Sequence, residues 1–190
     1  MLSEIEEYAE INKVPIMLPD GIDYLCNYIK EHNIKNILEI GTAIGYSAIR
    51  MAHVNDEIKI TTIEKDKDRY EQAMINIQKF NLQDRIQVIF SDALETNIIE
   101  TFDLIFIDAS KGHSIDFFNR YKKNLSQNGT IITDNLSFHG LVENESLALT
   151  KNQRGIVKKI KNFIEFLDNN EEFTTTYIPV GDKISISIRK

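Results

Sequence analysis

The sequence predicts an α/β fold of three layers, in which helices cover both faces of a mostly parallel β-sheet. Short apolar runs alternate with segments of helical periodicity along most of the chain, and this alternation is typical of a parallel sheet. The last two β-like segments lie too close together for a crossover, so they predict an antiparallel hairpin. Because no repeat, low-complexity stretch or flexible linker interrupts the sequence, we expect a single domain spanning residues 1–190.

In the first half of the chain, helix-like and strand-like segments follow each other in turn. Ile22, Leu25 and Ile29 recur at helical spacing, and a second helical stripe lies within residues 66–80. Apolar and β-branched runs predict strands over residues 36–40, 58–64 and 86–92.

The second half continues this alternation and then changes. The run "LIFI" within residues 103–108 is continuously apolar, as expected of a strand covered on both faces. Residues 114–125 and 154–168 are predicted helices, and residues 130–134 are a predicted strand between them. The whole pattern predicts five β-α units, followed by a hairpin formed by residues 173–178 and 183–188 around a "PVGD" turn.

The composition is that of an ordinary soluble protein, and we expect it to lie in the cytoplasm. No apolar stretch approaches membrane-spanning length, and the acidic start carries no secretory signal. Cys26, the only cysteine, falls on an apolar helical stripe and is predicted to be a small core residue. The net charge of −7 argues against non-specific nucleic-acid binding, because phosphate contacts need clustered basic residues.

The residues that end the first two strands suggest a ligand site, because parallel sheets bind ligands at the carboxyl ends of their strands. Gly41 and Gly45 let the backbone turn tightly, in a G-x-x-x-G spacing that differs from the dinucleotide fingerprint. Glu64 follows about 20 residues later, where an acid accepts hydrogen bonds from ribose hydroxyls. A plain tight turn explains the glycines alone, whereas the glycines together with Glu64 favour a nucleoside ligand.

The later strand ends carry carboxylates. Asp92, next to the small Ala93, is compatible either with contact to an adenine edge or with a helix cap. Asp108 ends the fourth strand, and Asp134 and Asn135 end the fifth. Two carboxylates and an amide oxygen at neighbouring strand ends are hard ligands that suit Mg²⁺ or a similar cation.

These motifs resemble those of the class I S-adenosylmethionine-dependent methyltransferases, and more narrowly the metal-dependent O-methyltransferases of the catechol and caffeoyl-CoA type. The resemblance rests on "LEIGTAIGYSAI", "IEKD", "SDALE", "FDLIFIDASK" and "TIITDNLSFHG", and it covers nearly the whole chain. It implies a Rossmann-like methyltransferase fold, whose seven-stranded sheet is mostly parallel and ends in the antiparallel hairpin. It also implies Mg²⁺ or a similar divalent cation beside the cofactor.

The resemblance implies a role for each site residue. The metal ligands would be Asp108, Asp134 and Asn135, and Lys111 would be the general base. The segment "VPIMLPDG", residues 14–21, would close over the cofactor. The implied cofactor contacts are Met17, Glu39, Gly41, Thr42, Gly45, Ser47, Glu64, Asp92, Ala93 and Asp108.

Within this family the chain most resembles bacterial enzymes that methylate 5-hydroxyuridine to 5-methoxyuridine at the tRNA wobble position. The segment "DNLSFHGLV" and the late "PVGD" carry this narrower resemblance, which implies the tRNA anticodon loop as partner. A basic stretch at 151–161 would supply phosphate contacts, or is simply a solvated helix face. Phe138 or His139 would stack on the base or pack in the loop. The implied tRNA contacts are Lys151, Arg154, Lys158 and Lys161.

Three alternatives remain open at this point. A small-molecule enzyme acting on catechol-like or caffeoyl-CoA-like vicinal diols would share every cofactor and metal residue. A non-catalytic cofactor-binding module is disfavoured by the intact acids and Lys111, and a nicotinamide oxidoreductase by the glycine spacing. The resemblance also suggests a homodimer, in which Leu2, Ile5 and Ala9 of the first helix face either an interface or the core.

Overall fold

The computed structural model describes residues 2–148 and 150–190. Its helices are α1 (Leu2–Asn12), α2 (Pro19–Glu31), α3 (Tyr46–Ala52), α4 (Lys67–Lys79), α5 (Ser114–Tyr121) and α6 (Lys151–Asp168). Its strands are β1 (Asn36–Ile40), β2 (Lys59–Glu64), β3 (Ile86–Phe90), β4 (Phe102–Ile107), β5 (Leu125–Thr133), β6 (Phe173–Ile178) and β7 (Ile184–Arg189). Short 3-10 turns cover Lys111–His113, Lys122–Asn124 and Glu145–Leu147.

The seven strands form one sheet in the order β3-β2-β1-β4-β5-β7-β6. Strands β1 to β5 pair in parallel, and β7 pairs antiparallel with both β5 and β6. The predicted three-layer fold with its terminal hairpin is therefore confirmed. Because the strand order reverses between β1 and β4, a crevice opens at the carboxyl ends of these two strands, where open α/β sheets bind ligands.

The prediction of five β-α units is wrong at the third unit. Residues 91–101, between β3 and β4, contain turns but no α-helix. Side chains from α5 satisfy part of this backbone: the Tyr121 hydroxyl donates to the Ala93 carbonyl at 2.6 Å, and Arg120 donates to the Thr96 carbonyl at 2.8 Å. The connection can therefore remain irregular while its polar backbone groups keep partners.

Helix α6 begins three residues before the predicted start, at Lys151. Thr150 and Gln153 form a capping box, in which the Thr150 hydroxyl accepts from the Gln153 N–H and the Gln153 side chain accepts from the Thr150 N–H. This reciprocal pair satisfies two N–H groups that would otherwise lack partners at a helix start. Apolar periodicity alone does not reveal such a polar first turn.

Two hydrophobic cores cover the two faces of the sheet. One contains α1, α2, α3 and α4, and the other contains α5 and α6. Ile5 and Ala9 of α1 are each 3% exposed within the first core, so this helix already packs inside its own chain. Cys26 packs against the same core, and burial raises the pKa of its thiol to about 11, in line with its prediction as a packing residue. Within residues 2–148 and 150–190, no helix is long and apolar enough to cross a membrane.

Candidate active site

The register of the sheet brings the predicted site residues to one edge. Ile40 of β1 pairs with Ile107 of β4, so the residues that follow them lie side by side. The Asp108 N–H donates to the Ile40 carbonyl at 3.0 Å, and the Asp134 N–H donates to the Ile107 carbonyl at 3.2 Å. Three adjacent strands therefore deliver the glycine loop, Asp108 and Asp134 to the same rim.

The glycine loop after β1 depends on the absence of side chains. Gly41 has a φ of +100°, and a Cβ atom built there would lie 2.3 Å from the Asp108 carbonyl oxygen. Gly45 has a φ of +83° and precedes α3, while its N–H donates to the Thr42 carbonyl at 2.9 Å. Glycine is the residue that adopts such positive φ values without strain. The loop therefore lies against β4 at a distance that only a glycine allows.

Glu39 lies beneath this loop. Its side chain is fully buried, and its carboxylate accepts hydrogen bonds at 2.5 Å from the Ser47 and Thr62 hydroxyls. The Thr62 hydroxyl also bonds to that of Thr42 at 2.6 Å. Burial raises the pKa of Glu39 to about 7, although both hydroxyl hydrogen bonds act in the opposite direction. Glu39 therefore fixes Ser47 and Thr62 by hydrogen bonds, and Thr62 in turn fixes Thr42 of the loop.

Glu64 lies at the end of β2 and faces the same loop. One carboxylate oxygen accepts from the Ala43 N–H at 2.8 Å, and the other accepts from the N–H groups of Lys65 and Asp66 at 2.9 and 2.8 Å. The side chain is buried, so these contacts give it one fixed orientation. Sequence spacing predicts this proximity to the glycine loop, and the geometry agrees with it.

Asp92 and Ala93 form the turn after β3. The Asp92 carboxylate accepts from the Leu94 N–H at 2.9 Å, and this bond is the main reason that its pKa lies below its usual value. Because no helix follows β3, the helix-cap interpretation of Asp92 is wrong, and its carboxylate stabilises a turn instead. A contact of Asp92 and Ala93 with adenine stays a prediction.

Met17 and Ser47 are the remaining predicted cofactor contacts. Met17 is 4% exposed in the first core, close to Gly21, and Ser47 is 8% exposed with its hydroxyl directed at Glu39. Ser47 therefore lies at the base of the glycine loop, whereas Met17 packs in the first core beside α2. Their contact with the cofactor stays a prediction.

Asp134 is the most unusual acid of the rim. It is 1% exposed, and its Oδ1 atom has no hydrogen-bond partner. Burial, and then the charge of Asp108, raise the pKa of Asp134 to about 7, while Lys111 acts in the opposite direction. A buried carboxylate oxygen without a partner is costly and rare in folded proteins. A hard divalent cation bound at this position would give that oxygen a partner.

Lys111 lies between the two acids. Its ammonium donates to an Asp108 carboxylate oxygen at 3.1 Å and to the Asp134 carbonyl at 3.2 Å. The 3-10 turn that carries it begins four residues after the end of β4, and the Lys111 side chain is 17% exposed. The fold therefore places this amine in direct contact with one predicted ligand and with the backbone of another.

Asn135 has a left-handed backbone with a φ of +63°, which asparagine tolerates better than most residues. Its Nδ2 atom lies 3.5 Å from Oδ2 of Asp182, an acid in the turn between β6 and β7. Asp182 is 5% exposed, and its Oδ1 accepts from the His139 N–H at 2.6 Å. Sequence analysis missed this acid because "PVGD" looks like an ordinary turn, and only long-range pairing brings it to the site.

The predicted ligand set contains few acids. Among the residues that the structure describes, no group of three or more His, Cys, Asp and Glu side chains is arranged to hold a metal ion. Asp108 and Asp134 would supply two carboxylates and Asn135 an amide oxygen, and Mg²⁺ commonly completes such a set with water and substrate oxygens.

Helix α6 lies beside the 3-10 turn that carries Lys111. The predicted tRNA contacts Lys151, Arg154, Lys158 and Lys161 are all exposed. A Cβ atom built on Gly112, next to Lys111, would lie 2.9 Å from Nζ of Lys159, a lysine outside the predicted set.

Of the two loop aromatics, Phe138 packs partly buried against the second core, whereas His139 is exposed. The packing interpretation of Phe138 is therefore confirmed. Both residues have positive φ values, +50° for Phe138 and +56° for His139.

Comparison with known proteins places these features in a family. The family model described as O-methyltransferase matches residues 1–190. The caffeoyl-CoA O-methyltransferase of Populus kitakamiensis is 26% identical over 97% of this chain and 82% of its own length. The catechol O-methyltransferase of Mycobacterium tuberculosis is 28% identical over 73% of this chain and 64% of its own length.

Two solved structures share this fold, and each match covers the full length of this chain. A Staphylococcus aureus structure that carries a provisional caffeoyl-CoA O-methyltransferase name is 36% identical, with a TM-score of 0.95 over 100% of this chain and 92% of that one. A Bacillus cereus O-methyltransferase in complex with SAH is 27% identical, with a TM-score of 0.84 over 100% and 90% of the two chains. The chain belongs to the S-adenosylmethionine-dependent O-methyltransferase family.

Proposed function

We propose that this enzyme transfers the methyl group of S-adenosylmethionine to one of two adjacent oxygens on its acceptor, with a divalent cation held by Asp108, Asp134 and Asn135. The observation that carries the proposal is the buried, unpartnered Oδ1 atom of Asp134. It lies on the strand next to Asp108, at the rim that also carries the glycine loop. Methyl donor and acceptor would therefore meet above β1, β4 and β5.

Different residues of the chain would bind the cofactor and the cation that orients the acceptor. Gly41 and Gly45 form the loop beside which the cofactor would bind, and the fixed carboxylate of Glu64 would accept hydrogen bonds from its ribose. The carboxylates of Asp108 and Asp134 and the amide oxygen of Asn135 would hold the cation. A bound divalent cation lowers the pKa of an acceptor hydroxyl and orients it.

Lys111, as a neutral amine, would accept the proton from that hydroxyl and become an ammonium. Its Nζ atom contacts Asp108 and the Asp134 backbone, so it borders the predicted cation site directly. The acceptor oxygen would then attack the methyl carbon in line with the departing sulfur, while the C–S bond breaks. Positioning both reactants in this way converts a bimolecular reaction into an effectively unimolecular one.

A small vicinal diol is the acceptor that the comparisons favour. The relatives described above are named for caffeoyl-CoA and for catechol. Two adjacent oxygens on an aromatic ring can both bind one cation, which explains why a site of few protein ligands suits them. A neutral diol such as catechol also agrees with the net charge of −7, which disfavours binding to polyanions.

The wobble base 5-hydroxyuridine in tRNA is the second candidate. Its 5-hydroxyl and 4-carbonyl are also adjacent oxygens, and an anticodon-loop base can leave the stack to enter a pocket. The observation in its favour is the exposed basic face of α6, a helix that lies beside the turn carrying Lys111. Phosphates of the anticodon stem would lie along that face.

One assay separates the two acceptors. Purified enzyme is given S-adenosylmethionine and Mg²⁺ with either catechol, caffeoyl-CoA or tRNA containing 5-hydroxyuridine, and products are identified by mass spectrometry. Phenol, which lacks the neighbouring oxygen, and tRNA with unmodified uridine, which lacks the acceptor hydroxyl, are the matched controls. Methylation of the diols alone supports the first candidate, and 5-methoxyuridine alone supports the second. Methylation of phenol as fast as of catechol would contradict the vicinal-oxygen proposal.

A further inference from the structure

We propose that Asp182 positions the side-chain amide of Asn135, so that the amide oxygen and not the amide nitrogen faces the cation. This inference rests on the proposed metal-dependent function. It assigns a role to an acid that lies 47 positions along the chain from Asn135.

Asp182 is placed to act on Asn135 by long-range strand pairing. It lies in the turn between β6 and β7, and β7 runs beside β5, whose end carries Asp134 and Asn135. Its side chain is 5% exposed. Oδ2 faces the Asn135 Nδ2 atom at 3.5 Å, while Oδ1 accepts from the His139 N–H at 2.6 Å. Both oxygens therefore face nitrogen atoms of the segment that follows β5.

A carboxylate can only accept hydrogen bonds, so it selects the nitrogen end of a neighbouring amide. When Nδ2 of Asn135 is directed at Asp182, the amide oxygen must point away from Asp182. An asparagine without such a partner can turn its amide over and present NH₂, which cannot bind a cation. The contact thus explains how an uncharged ligand is held in the one orientation that is useful.

The charge of Asp182 has no evident structural reason. Within the described part of the chain its carboxylate forms no ion pair, and the neighbouring Lys183 pairs with Glu143 at 3.2 Å instead. An uncharged asparagine at position 182 could equally accept the hydrogen bond from His139. A buried carboxylate without a counter-ion is unfavourable, and a nearby divalent cation would offset that cost.

A purely structural role of Asp182 can be separated from the positioning role, because a second acid also holds this loop by hydrogen bonds. Glu143 accepts from the Ser137 hydroxyl at 2.8 Å and from Lys183 Nζ at 3.2 Å. Among the described residues it ties the loop to the hairpin turn and forms no hydrogen bond with Asn135. Glu143→Gln is therefore the matched control for Asp182→Asn.

The test is calorimetric titration of Mn²⁺ into wild type, Asp182→Asn and Glu143→Gln, each purified with bound S-adenosylhomocysteine. We expect Asp182→Asn to weaken Mn²⁺ binding about 10–100-fold, the range seen when a partner of a metal ligand is removed. Glu143→Gln should stay within about twofold of wild type, and S-adenosylhomocysteine affinity should be unchanged in both variants. Similar losses of Mn²⁺ affinity in both variants would overturn the proposal.

If Asp182→Asn does not fold, Asn135→Asp is titrated with and without Asp182→Asn, because a carboxylate at position 135 presents an oxygen in either orientation. Equal or higher Mn²⁺ affinity after Asp182→Asn is added supports the positioning role, whereas a loss of about tenfold, or a double variant that also fails to fold, assigns Asp182 to structure alone. A wild type that binds no Mn²⁺ overturns the metal-dependent function and this inference together. If wild type and Asp182→Asn bind Mn²⁺ equally well, only the proposed role of Asp182 is overturned.

Discussion

The ammonium of Lys111 lies 3.1 Å from a carboxylate oxygen of Asp108, and the same nitrogen lies 3.2 Å from the backbone oxygen of Asp134. One amine therefore touches the ends of two neighbouring strands. This contact ties the predicted base to the predicted cation site, since any group bound by Asp108 must lie close to Lys111.

Replacement of Lys111 tests its role in proton removal. Lys111→Met keeps the approximate length of the side chain and removes the amine, so we expect turnover to fall about 10²–10⁴-fold, the usual contribution of a general base. Binding of S-adenosylhomocysteine should change less than about twofold. Turnover is measured over a range of pH, and the loss should shrink at high pH, where the acceptor ionises without help. A uniform loss at every pH would contradict the base role.

Stability without metal should fall as pH rises. The pKa of Asp134 is raised from 3.8 to about 7 by burial and by Asp108, so the folded protein holds a proton that the unfolded chain releases above its own pKa. The stabilising proton is present at about pH 4 and is lost as pH rises through 7. Urea unfolding in EDTA should therefore show a decrease of a few kcal/mol between pH 4 and pH 8.

Asp134→Asn should reduce this decrease, because the amide does not titrate. Glu39, whose pKa is also raised to about 7, would account for part of what remains. Mg²⁺ added at pH 8 should stabilise the wild type by mass action and leave Asp134→Asn unchanged. Equal pH dependence in the two proteins would contradict the assignment to Asp134.

The glycine loop should tolerate no side chain at its first position. Gly41→Ala forces a Cβ atom to 2.3 Å from the Asp108 carbonyl at a φ of +100°, so we expect destabilisation by more than about 1 kcal/mol and loss of S-adenosylhomocysteine binding. Gly155→Ala in α6 is the control, because a Cβ atom there meets nothing within 4 Å. It should stabilise the protein by about 0.5–1 kcal/mol. Thermal unfolding and calorimetry check both variants.

The basic face of α6 distinguishes the acceptors independently of turnover. Lys151→Glu with Lys158→Glu should weaken tRNA binding about tenfold or more at low salt, if tRNA is the acceptor. Arg154 is left unchanged, because it donates to the Ala148 carbonyl at 3.1 Å and has a structural role. Reversal of Lys30 and Lys79, on α2 and α4, is the control for net charge. Gel-shift affinity that is equal in all three proteins would remove α6 from tRNA recognition.

The sequence predicts most of the fold because its signals are local. Alternating apolar and helical periods reveal the strands, and the short "PVGD" spacing reveals the hairpin. The helix that is missing between β3 and β4 was not foreseeable, since Arg120 and Tyr121 from another element satisfy that backbone. The early start of α6, by contrast, was readable from the Thr150-x-x-Gln153 spacing, a capping-box signature that apolar periodicity does not include.

The site is predictable where its residues directly follow a strand. Gly41, Glu64, Asp108 and Asp134 all lie at the expected rim, because the carboxyl ends of parallel strands meet there. Asp182 escaped prediction because its contact with Asn135 spans 47 positions and passes through an antiparallel strand. The acceptor is not predictable from these residues, since small diols and 5-hydroxyuridine present the same pair of oxygens.

The central claim is that methyl transfer requires a divalent cation held by Asp108, Asp134 and Asn135. The direct test is the initial rate of methyl transfer from S-adenosylmethionine to whichever acceptor the assay above identifies, before EDTA treatment, after it, and after Mg²⁺ is restored. We expect EDTA to abolish the rate, Mg²⁺ to restore it, and Asp134→Ala to be inactive under all three conditions while it still binds S-adenosylhomocysteine. A metal-free enzyme that retains its full rate would contradict the claim.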